Sequence, residues 1–285
     1  MKILITGASG FIGSYVVKEL LKSNHKLIVT TTNPNFQVVD TRLDYCFLDL
    51  NNISAGKNYF LKLGEPEMLI HLAWQGLPNY TSLFHFENNL FLQYAFLKNM
   101  VTHGLKKMVV TGTCFEYGMQ GGSLSEDLVT DPQNAYAIAK DTLRKFLFQL
   151  KNDVTFELVW IRLFYMFGKG QNKNALFSQL ESALQRGDSV FNMSGGEQVR
   201  DFLPVEKVAE YIVKVALSNF SGIVNCCSGQ PVKIKKLVEN YLKTTNRQIE
   251  LNTGYYPYTT YEPMEFWGDN TKLKKIINEG SDTGI

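Results

Sequence analysis

Tyr136 and Lys140 are the two side chains of this sequence whose spacing best fits acid–base chemistry. They stand four residues apart in a segment that we expect to be helical, so they share one helical face. A phenol with a pKa near 10 exchanges protons poorly at neutral pH, but a cation held beside it favours the phenolate. The pair could therefore serve proton transfer. The alternative is a partly buried tyrosine beside a solvated lysine, since such pairs occur by chance on many surfaces.

A glycine-rich stretch near the N-terminus could hold a phosphate group. Residues 6–13 are Thr-Gly-Ala-Ser-Gly-Phe-Ile-Gly and lie between an apolar run and an amphipathic segment. Gly7, Gly10 and Gly13 permit a tight turn, a close approach of backbone N–H groups to a pyrophosphate, and close packing of a helix on a sheet. The helix N-terminus adds unpaired N–H donors. The spacing is Gly-x-x-Gly-x-x-Gly, and a purely structural turn is the alternative.

The end of the second predicted strand bears on the choice of cofactor. A dinucleotide-binding fold usually places an acid there, which binds a free ribose 2′-hydroxyl. Residues 29–33 of this chain are Val-Thr-Thr-Thr-Asn, with no acid and no arginine. The hydroxyl of Thr31 stands where the acid is expected and could hydrogen-bond a 2′-phosphate. The sequence thus favours NADP(H) over NAD(H).

The hydrophobic pattern of the first half predicts a scaffold that brings these residues to one edge. Near-continuous apolar strands separated by helices are typical of a parallel sheet covered on both faces. The predicted fold class is α/β, a doubly wound Rossmann sheet with a smaller C-terminal α/β lobe. The predicted strands are 2–6, 26–30, 45–48, 68–72, 108–111 and 156–161, and the predicted helices are 11–22, 87–102 and 134–150. Tyr136 and Lys140 then follow the fifth strand, near the carboxyl edge where such sheets bind ligands.

The regular alternation of strands and helices ends near Gly168, which predicts a second structural unit beyond it. Helical segments dominate beyond it, at about 175–186, 205–217 and 234–244, and aromatic and proline residues crowd 255–267. We expect a dinucleotide-binding domain at 1–167, which also receives a strand near 223–227. A smaller substrate-binding lobe is expected at 168–285.

The composition excludes several classes of protein. The chain has 285 residues, 29 Lys+Arg against 27 Asp+Glu and a formal net charge of +2, so it lacks the electrostatic footprint of a nucleic-acid-binding protein. Hydrophobic residues make up 45% of the chain, too many for a disordered one. The cysteines form no Cys-x-x-Cys pair and the histidines never pair at i,i+4, so we expect no metal site. Because no signal-peptide pattern and no span-length apolar stretch is present, we expect a cytoplasmic protein without a membrane partner.

Together, these motifs resemble the extended short-chain dehydrogenase/reductase family, and more narrowly its nucleotide-sugar epimerase, dehydratase and reductase branch. The resemblance rests on the glycine turn, on Tyr136-x-x-x-Lys140 and on a hydroxyl residue, Thr113, five positions before Gly118. Further matching segments are Leu48-Asp49-Leu50, Ile70-His71-Leu72-Ala73, Asn89, Arg162 to Gly168, Val199-Arg200-Asp201-Phe202 and Asn225 to Gly229. The resemblance covers nearly the whole chain.

The resemblance implies a role for each matching residue. Tyr136 is expected to be the acid/base, Lys140 to bind the nicotinamide ribose and lower the tyrosine pKa, and Thr113 to hydrogen-bond the reacting oxygen. The predicted cofactor-binding residues are Gly7, Ser9, Gly10, Phe11, Ile12, Gly13, Thr31, Asp49, Leu50, Leu72, Ala73 and Lys140, and the predicted substrate-binding residues are Trp74, Thr113, Cys114, Tyr136, Asn174 and Arg200. Arg200 is expected to contact the diphosphate of a nucleotide-sugar, with a salt bridge to Glu206 or Asp201 as the alternative.

Two departures from the family pattern bear on the reaction and the substrate. Thr113 is followed by Cys-Phe rather than by the Asp-Glu pair of the dehydratases, and Glu116 comes one position late, which argues against a 4,6-dehydratase. Tyr165 and Phe167 replace an asparagine and a tyrosine that many members place near the sugar. Residues 258–263 stand where the family often has Arg-Pro-Gly-Asp, so the substrate need not be a UDP-hexose.

Three further side chains near the predicted site have structural alternatives. Trp74, directly after the fourth strand, either stacks on a sugar or base or packs under a loop. His71 is expected to be packed or hydrogen-bonded within its strand. Cys114 has no base visible in the sequence, so we do not expect it to be a nucleophile.

The sequence therefore predicts an enzyme that reduces the C4 keto group of a nucleotide-activated 4-keto-6-deoxyhexose with NADP(H) or NAD(H), Tyr136 being the proton donor. One alternative is a nucleotide-sugar 4-epimerase with tightly bound NAD, and another is a non-catalytic protein that kept the fold. The intact set of Thr113, Tyr136 and Lys140 argues against the latter. The expected partners are a nucleotide-diphosphate sugar and a second copy of the chain, because helices 87–102 and 134–150 form a dimer bundle in many relatives.

Overall fold

The chain folds around a parallel sheet whose central strands are apolar on both faces. The computed structural model describes residues 1–33, 35–36, 38–54 and 56–279, so residues 280–285 of the predicted second lobe lie outside the described residues. In chain order the elements are β1 (Lys2–Thr6), α1 (Phe11–Leu20), β2 (Lys26–Thr31), β3 (Leu43–Phe47), α2 (Tyr59–Lys62), β4 (Met68–His71), α3 (Leu90–Thr102), β5 (Lys107–Thr113), β6 (Gly122–Leu124), α4 (Ala135–Leu150), β7 (Glu157–Leu163), β8 (Tyr165–Phe167), α5 (Leu176–Arg186), β9 (Val190–Asn192), β10 (Val199–Pro204), α6 (Val205–Leu217), β11 (Gly222–Cys226), β12 (Pro231–Lys233), α7 (Ile234–Thr244), β13 (Glu250–Asn252), β14 (Phe266–Gly268) and α8 (Thr271–Glu279). Short 3-10 turns cover Leu50–Asn52 and Cys114–Tyr117, and a π-helical turn covers His85–Asn89.

The main sheet has the order β11-β7-β5-β4-β1-β2-β3, and all its strand pairs are parallel. From β1 the chain adds β2 and β3 on one side of β1, and it then crosses back so that β4 pairs with the other side of β1. Thr6, at the end of β1, therefore pairs with both Thr30 and His71. A doubly wound sheet binds ligands at such a reversal, outside the carboxyl ends of its strands. The predicted Rossmann-like α/β fold class is confirmed.

Two apolar layers cover the sheet. One layer contains α1, α6 and α8, through buried residues such as Val16, Val208 and Ile276. The other contains α3 and α4, through residues such as Phe96 and Leu143. Because α6, β11 and α8 all follow residue 167, the second part of the chain returns to the main sheet. Residues after 167 therefore contribute to the main sheet and its helical layers as well as to the smaller unit. The domain boundary at residues 167/168 stays a prediction.

A smaller unit is built from the short strands and from α5 and α7. Its sheets have the orders β12-β10-β8 and β13-β9, and β14 pairs with β6. The two helices share a cluster with buried Phe177, Leu180 and Val238. This unit lies beside the ends of β5 and β7, because β8 follows β7 after one residue. Among the described residues, no helix is both long and apolar enough to cross a membrane.

Candidate active site

Tyr136 lies in the first turn of α4 and is almost fully buried. Asn134 caps this helix, since its side-chain oxygen accepts a hydrogen bond from Ala137 N at 2.9 Å. The backbone N–H of Tyr136 donates to Tyr80 O at 2.9 Å, and its phenol lies close enough to the Thr113 side chain, at the end of β5, for Thr113 to lower its pKa. Only 8% of Tyr136 is exposed. Burial raises the pKa of the phenol well above its ordinary value, against the lowering effect of Thr113, so the phenol keeps its proton at neutral pH.

Lys140 lies one helical turn later and is also buried, with 2% of its surface exposed. Its Nζ donates to Thr111 O at 2.8 Å and lies 4.1 Å from the centroid of the Trp74 ring, a cation–π contact. Burial lowers the pKa of Lys140 to about 7, against the field of Glu116. The alternative of a solvated lysine is therefore wrong. The expected lowering of the Tyr136 pKa by Lys140 does not govern the phenol, whose burial dominates.

The loop after β4 places three more rings around Tyr136. Trp74 Nε1 donates to His85 Nδ1 at 3.1 Å, so that nitrogen carries no proton. His85 Nε2 then donates to Asn79 O at 2.7 Å. Burial lowers the pKa of His85, in keeping with this neutral tautomer. The ring centroids of Trp74, Tyr80 and His85 lie 5.9, 5.6 and 5.4 Å from that of Tyr136. Trp74 thus packs against the site, and its stacking on a sugar stays a prediction.

The glycine turn between β1 and α1 is too tight for side chains at two of its glycines. Gly7 has a φ of +72°, and a Cβ there would lie 2.7 Å from Ala73 N. A Cβ at Gly13 would lie 2.1 Å from Gly7 O. Among the described residues, no side chain caps the N-terminus of α1, so its first N–H groups remain open to an anion. Thr31, at the end of β2, reaches the same turn, because its Oγ1 donates to Ser9 Oγ at 2.8 Å.

The other residues predicted to bind a cofactor lie at neighbouring strand ends. Asp49 follows β3, and its carboxylate accepts a hydrogen bond from Asn51 N at 3.0 Å, which caps the 3-10 turn that begins at the buried Leu50. The remaining members lie just after β4 or at the start of α1: Gly10, Phe11, Ile12, Leu72 and Ala73. The sheet therefore brings the predicted set to one edge, and the role of each member stays a prediction.

Glu116, which had no assigned role, fixes the backbone of Thr113. Its Oε1 accepts from Thr113 N at 2.9 Å, while Thr113 Oγ1 accepts from Phe115 N at 3.3 Å, which closes a capping box on the 3-10 turn. Glu116 also accepts from Trp160 Nε1 at 3.0 Å and from Arg162 Nε at 2.8 Å. Its carboxylate is fully buried and paired with an equally buried guanidinium. Glu116 thus faces the sheet, in keeping with the argument against a dehydratase.

Arg200 forms a salt bridge, but to a partner that the sequence did not reveal. Its Nη2 and Nε lie 3.0 and 3.2 Å from Glu262 Oε2, and the Tyr165 hydroxyl donates to the same oxygen. The suggested alternative partners, Glu206 and Asp201, are wrong, since Asp201 accepts backbone N–H groups instead. Arg200 is 3% exposed and already charge-paired. Its contact with a diphosphate stays a prediction.

A row of aromatic rings links the acid–base pair to this salt bridge. Tyr80 lies 5.6 Å from Tyr136, Phe115 lies 5.3 Å from Tyr80, and Tyr165 lies 6.1 Å from Phe115, measured between ring centroids. We call these four residues the aromatic wall. It begins at Tyr136 and ends at Glu262, to which Tyr165 donates its hydroxyl proton. Aromatic surfaces with a few placed polar groups are typical of small-molecule sites.

Three predicted residues lie outside the aromatic wall. His71 is fully buried and its Nδ1 hydrogen-bonds Thr6 Oγ1 at 2.8 Å, which confirms a hydrogen-bonded strand residue. Cys114 is buried in an apolar cluster, and burial raises the pKa of its thiol, in keeping with an unreactive cysteine. Its contact with a substrate stays a prediction. Asn174 lines a polar cavity of about 480 Å³ in the smaller unit, together with Lys173 and Arg186.

Sequence reasoning missed Tyr80, His85, Phe115 and Glu262. Tyr80 and His85 lie in a loop without periodicity, and Glu262 meets Arg200 across 62 residues of chain. Two signals marked the segment of Glu262, the crowding of aromatic residues at 255–267 and the departure of 258–263 from the family pattern, and neither indicated a partner.

Comparisons with known proteins agree with this geometry. Residues 3–227 match the family model described as NAD dependent epimerase/dehydratase family. The chain is 34% identical over 273 residues to the dTDP-6-deoxy-L-talose 4-dehydrogenase (NAD(+)) of Aggregatibacter actinomycetemcomitans, a match that covers 94% of this chain and 99% of that one. It is 26% identical over 323 residues to the UDP-glucose 4-epimerase of Bacillus subtilis, covering 100% of this chain and 94% of that one. A solved structure of MoeE5 in complex with UDP-glucuronic acid and NAD has a TM-score of 0.83 at 25% identity, and the match covers 98% of this chain and 93% of that one.

The family model spans most of the chain, and the dehydrogenase relative is matched over nearly its whole length. The family match includes the glycine turn and the segment that carries Thr113, Tyr136 and Lys140. The resemblance inferred from the motifs is therefore confirmed: the chain is an enzyme that belongs to the NAD dependent epimerase/dehydratase family.

Proposed function

We propose that this enzyme transfers a hydride to and from C4 of a nucleotide-activated 6-deoxyhexose, with reduction of the 4-keto sugar as its working direction. The observation that carries the proposal is the buried set of Thr113, Tyr136 and Lys140 at the end of β5. The relative named dTDP-6-deoxy-L-talose 4-dehydrogenase supports a 6-deoxyhexose, because a 4-dehydrogenase run in reverse is a 4-ketoreductase.

The chain's own residues would hold and move the proton. A bound nicotinamide supplies the hydride in the reductive direction. Because burial keeps the Tyr136 phenol protonated, this group can donate its proton to the developing oxyanion at C4. The Thr113 hydroxyl, which lies close enough to the phenol to lower its pKa, would hold the same oxygen. Lys140, with a pKa of about 7, lies one turn away and can exchange a proton near neutral pH.

For the cofactor we propose NAD(H), in place of the NADP(H) that the sequence favoured. The glycine turn fits a pyrophosphate, because it leads into the N-terminus of α1, where among the described residues no side chain caps the first N–H groups. The Thr31 hydroxyl, expected to bind a 2′-phosphate, already donates to Ser9 and accepts from Asn33 N at 2.9 Å. Residues 27–41 contain no lysine or arginine, and Arg42 is engaged in an ion pair. The dehydrogenase relative is named as an NAD(+) enzyme.

For the nucleotide portion of the substrate we propose the polar cavity around Asn174. Lys173 brings positive charge to it, Arg186 lies there paired with Asp188 at 2.6 Å, and Asn174 and Asn192 bring amide donors and acceptors. These groups suit a phosphorylated, hydrogen-bonding ligand. The nucleotide-sugar would then extend from this cavity to Tyr136.

A 4-epimerase is the second candidate, and the UDP-glucose 4-epimerase relative favours it. The same acid–base residues would then work in both directions on one sugar. The two functions differ in cofactor use, since a reductase consumes one equivalent of reduced nicotinamide for each product and an epimerase recycles it.

Incubation of the purified protein with dTDP-6-deoxy-L-talose and NAD+ or NADP+ tests these proposals. We expect reduced nicotinamide to accumulate with NAD+ and at least tenfold more slowly with NADP+. A faster reaction with NADP+ would contradict the choice of cofactor. Interconversion of UDP-glucose and UDP-galactose without net change in nicotinamide would favour the epimerase. No reaction with either sugar, at high enzyme concentration, would contradict the proposed function.

Tyr136→Phe should lower kcat by about 10²–10⁴-fold, the usual contribution of a positioned general acid. The affinity for NAD(H), measured by calorimetry, should change little, because the substitution removes one hydroxyl. Tyr211→Phe is the matched control, since this tyrosine lies on α6 and packs against the core away from the aromatic wall. Turnover of Tyr136→Phe within tenfold of the wild type would exclude the mechanism.

A further inference from the structure

Glu262 is a nearly buried carboxylate that presents only one of its two oxygens to Arg200 and Tyr165. Its side chain is 13% exposed and lies in the segment between β13 and β14. Arg200 Nη2 and Nε both donate to Oε2, at 3.0 and 3.2 Å, and the Tyr165 hydroxyl donates to the same atom. Among the described residues, none donates to Oε1. This oxygen can therefore accept a hydrogen bond from a ligand.

Arg200 fixes the position of the Glu262 carboxylate through further contacts with the backbone. Arg200 uses its remaining nitrogen, Nη1, to donate to Val199 O at 2.9 Å and to Met264 O at 3.1 Å. Its guanidinium also lies 4.5 Å from the Phe266 ring centroid. Through these hydrogen bonds Arg200 links β10, on which it lies, to the segment between β13 and β14 that contains Glu262. A carboxylate held in this way is already oriented before a ligand binds, which lowers the cost of binding.

The charge balance favours a neutral ligand group over a phosphate here. Arg200 and Glu262 form a one-to-one ion pair that is largely removed from water. A diphosphate placed against this pair would meet the negative charge of Glu262 as well as the positive charge of Arg200. A hydroxyl, in contrast, can donate to Oε1 without disturbing the pair. The ion pair with Glu262 thus makes this end of the aromatic wall better suited to a neutral hydroxyl than to a phosphate.

The carboxylate shares its surroundings with the acid–base site. The aromatic wall runs from Tyr136 to Tyr165, whose hydroxyl holds Glu262. Burial first, and then neighbours that include Glu262, raise the pKa of Tyr80 to about 12, so the charge of Glu262 is felt at the ring next to Tyr136. A sugar ring lying along the wall would present C4 at one end and other hydroxyls towards the carboxylate.

We propose that Glu262 Oε1 accepts a hydrogen bond from a hydroxyl of the substrate's sugar, away from C4, and so determines which sugars are used. Arg200 and Tyr165 act as positioning residues for this contact. The inference rests on the proposed function, because it assumes that a nucleotide-sugar lies along the aromatic wall. It assigns sugar recognition to a residue of the segment 258–263, in which this chain departs from the family pattern.

Glu262→Gln tests the assignment because it reverses the hydrogen-bonding character at one atom. Its amide oxygen would turn to Arg200 and Tyr165, which leaves the NH2 group where Oε1 was. We expect KM for dTDP-6-deoxy-L-talose to rise by about 10- to 100-fold, the range of a hydrogen bond to a charged group, with kcat within threefold. The Kd of dTDP alone and that of NADH, measured by calorimetry, should stay within twofold. Glu265→Gln, an exposed acid three residues later, is the control and should change none of these values.

Tyr165→Phe keeps both charges and provides a second variant should Glu262→Gln fail to fold. It should raise the same KM by about threefold to tenfold, because the carboxylate loses one of the groups that orient it. An unchanged KM in both variants, or an equal loss of affinity for dTDP and for the sugar nucleotide, would overturn the proposal. If the wild-type protein transfers no hydride, the proposed function is wrong. The Kd of dTDP-6-deoxy-L-talose relative to that of dTDP, compared between wild type and variants, then decides on Glu262 alone.

Discussion

Burial controls the chemistry of the two central residues of the site. It raises the pKa of Tyr136 and lowers that of Lys140, and both shifts favour the neutral form of the side chain. A neutral phenol is the form that can donate a proton to a reduced carbonyl oxygen. In the proposed reduction, Tyr136 would therefore be ready to donate its proton because of its position inside the fold.

Lys140→Met should remove a pH-dependent loss of stability. An unperturbed lysine titrates near pH 10.4, whereas burial lowers the pKa of Lys140 to about 7 in the folded protein. Between these values the unfolded chain binds more protons, so Lys140 makes the folded protein less stable as the pH falls from about 10 to 7. The free energy of unfolding of the variant, relative to wild type, should therefore increase by up to about 1.4 kcal/mol for each pH unit of decrease.

Urea unfolding of both proteins across this pH range measures the difference. Lys145→Met is the matched control, because this lysine lies on the same helix with 60% of its side chain exposed. The difference in the free energy of unfolding between Lys145→Met and wild type should be nearly independent of pH. If the Lys140→Met difference were equally flat, the burial of that ammonium would not affect its titration.

Among the elements, the 3-10 turn Cys114–Tyr117 connects Thr113 to the core. Thr113 is the last residue of β5, and Glu116 binds its backbone N–H from one turn further on. The same carboxylate pairs with Arg162 on β7. The position of the Thr113 hydroxyl thus depends on an ion pair between two neighbouring strands.

Glu116→Gln should destabilise the protein by about 3–5 kcal/mol, because it leaves the buried Arg162 guanidinium without a counter-charge. Glu157→Gln is the control on the same pair of strands, since Glu157 is 58% exposed and lies 3.8 Å from Lys107. Its cost should be about 1 kcal/mol or less. Denaturant midpoints and slopes measure both, and similar costs for the two variants would contradict the structural role of Glu116.

The main strands and helices could be predicted because each carries its own signal. The strands of the large sheet are buried runs such as Met68–His71, and the helices show apolar periodicity. The three-residue strands carry no such signal. Phe266–Gly268 becomes a strand only because it pairs with Gly122–Leu124, more than 140 residues earlier. Glu262 could not be predicted as a site residue for the same physical reason. Its position depends on contacts with Arg200 and Tyr165, and only the folded chain brings these residues together.

At the scale of the whole molecule, α3 and α4 leave an apolar surface on the outside. Phe91 on α3 is 58% exposed, and Ile138 and Phe146 on α4 are 41% and 38% exposed. Tyr94 and Phe146 join the two helices through rings 5.3 Å apart. The predicted homodimer would cover this surface with the same helices of a second copy, which is the usual symmetry of such pairs.

If the predicted homodimer forms through this surface, Phe91→Asp combined with Phe146→Asp should convert it to a monomer, because two charges would be buried at the interface. Sedimentation velocity at micromolar concentration measures the change. Phe47→Asp is the control, since Phe47 is 67% exposed on the edge strand β3, on a different element. A wild-type protein that sediments as a monomer would contradict the homodimer, as would an equal effect of the control.

Trp74 gives the enzyme an optical reporter of its own. Of the three tryptophans, this one lies under the Lys140 ammonium, whereas Trp160 is fully buried in the core and Trp267 lies on β14. The emission wavelength of an indole responds to nearby charge, and a cation 4.1 Å from the ring centroid is close enough to dominate that response. In the variant Trp160→Phe/Trp267→Phe, excitation selective for tryptophan would give emission from Trp74 alone. The emission wavelength of Trp74 would then report the protonation of Lys140 and the binding of ligands, without any added label.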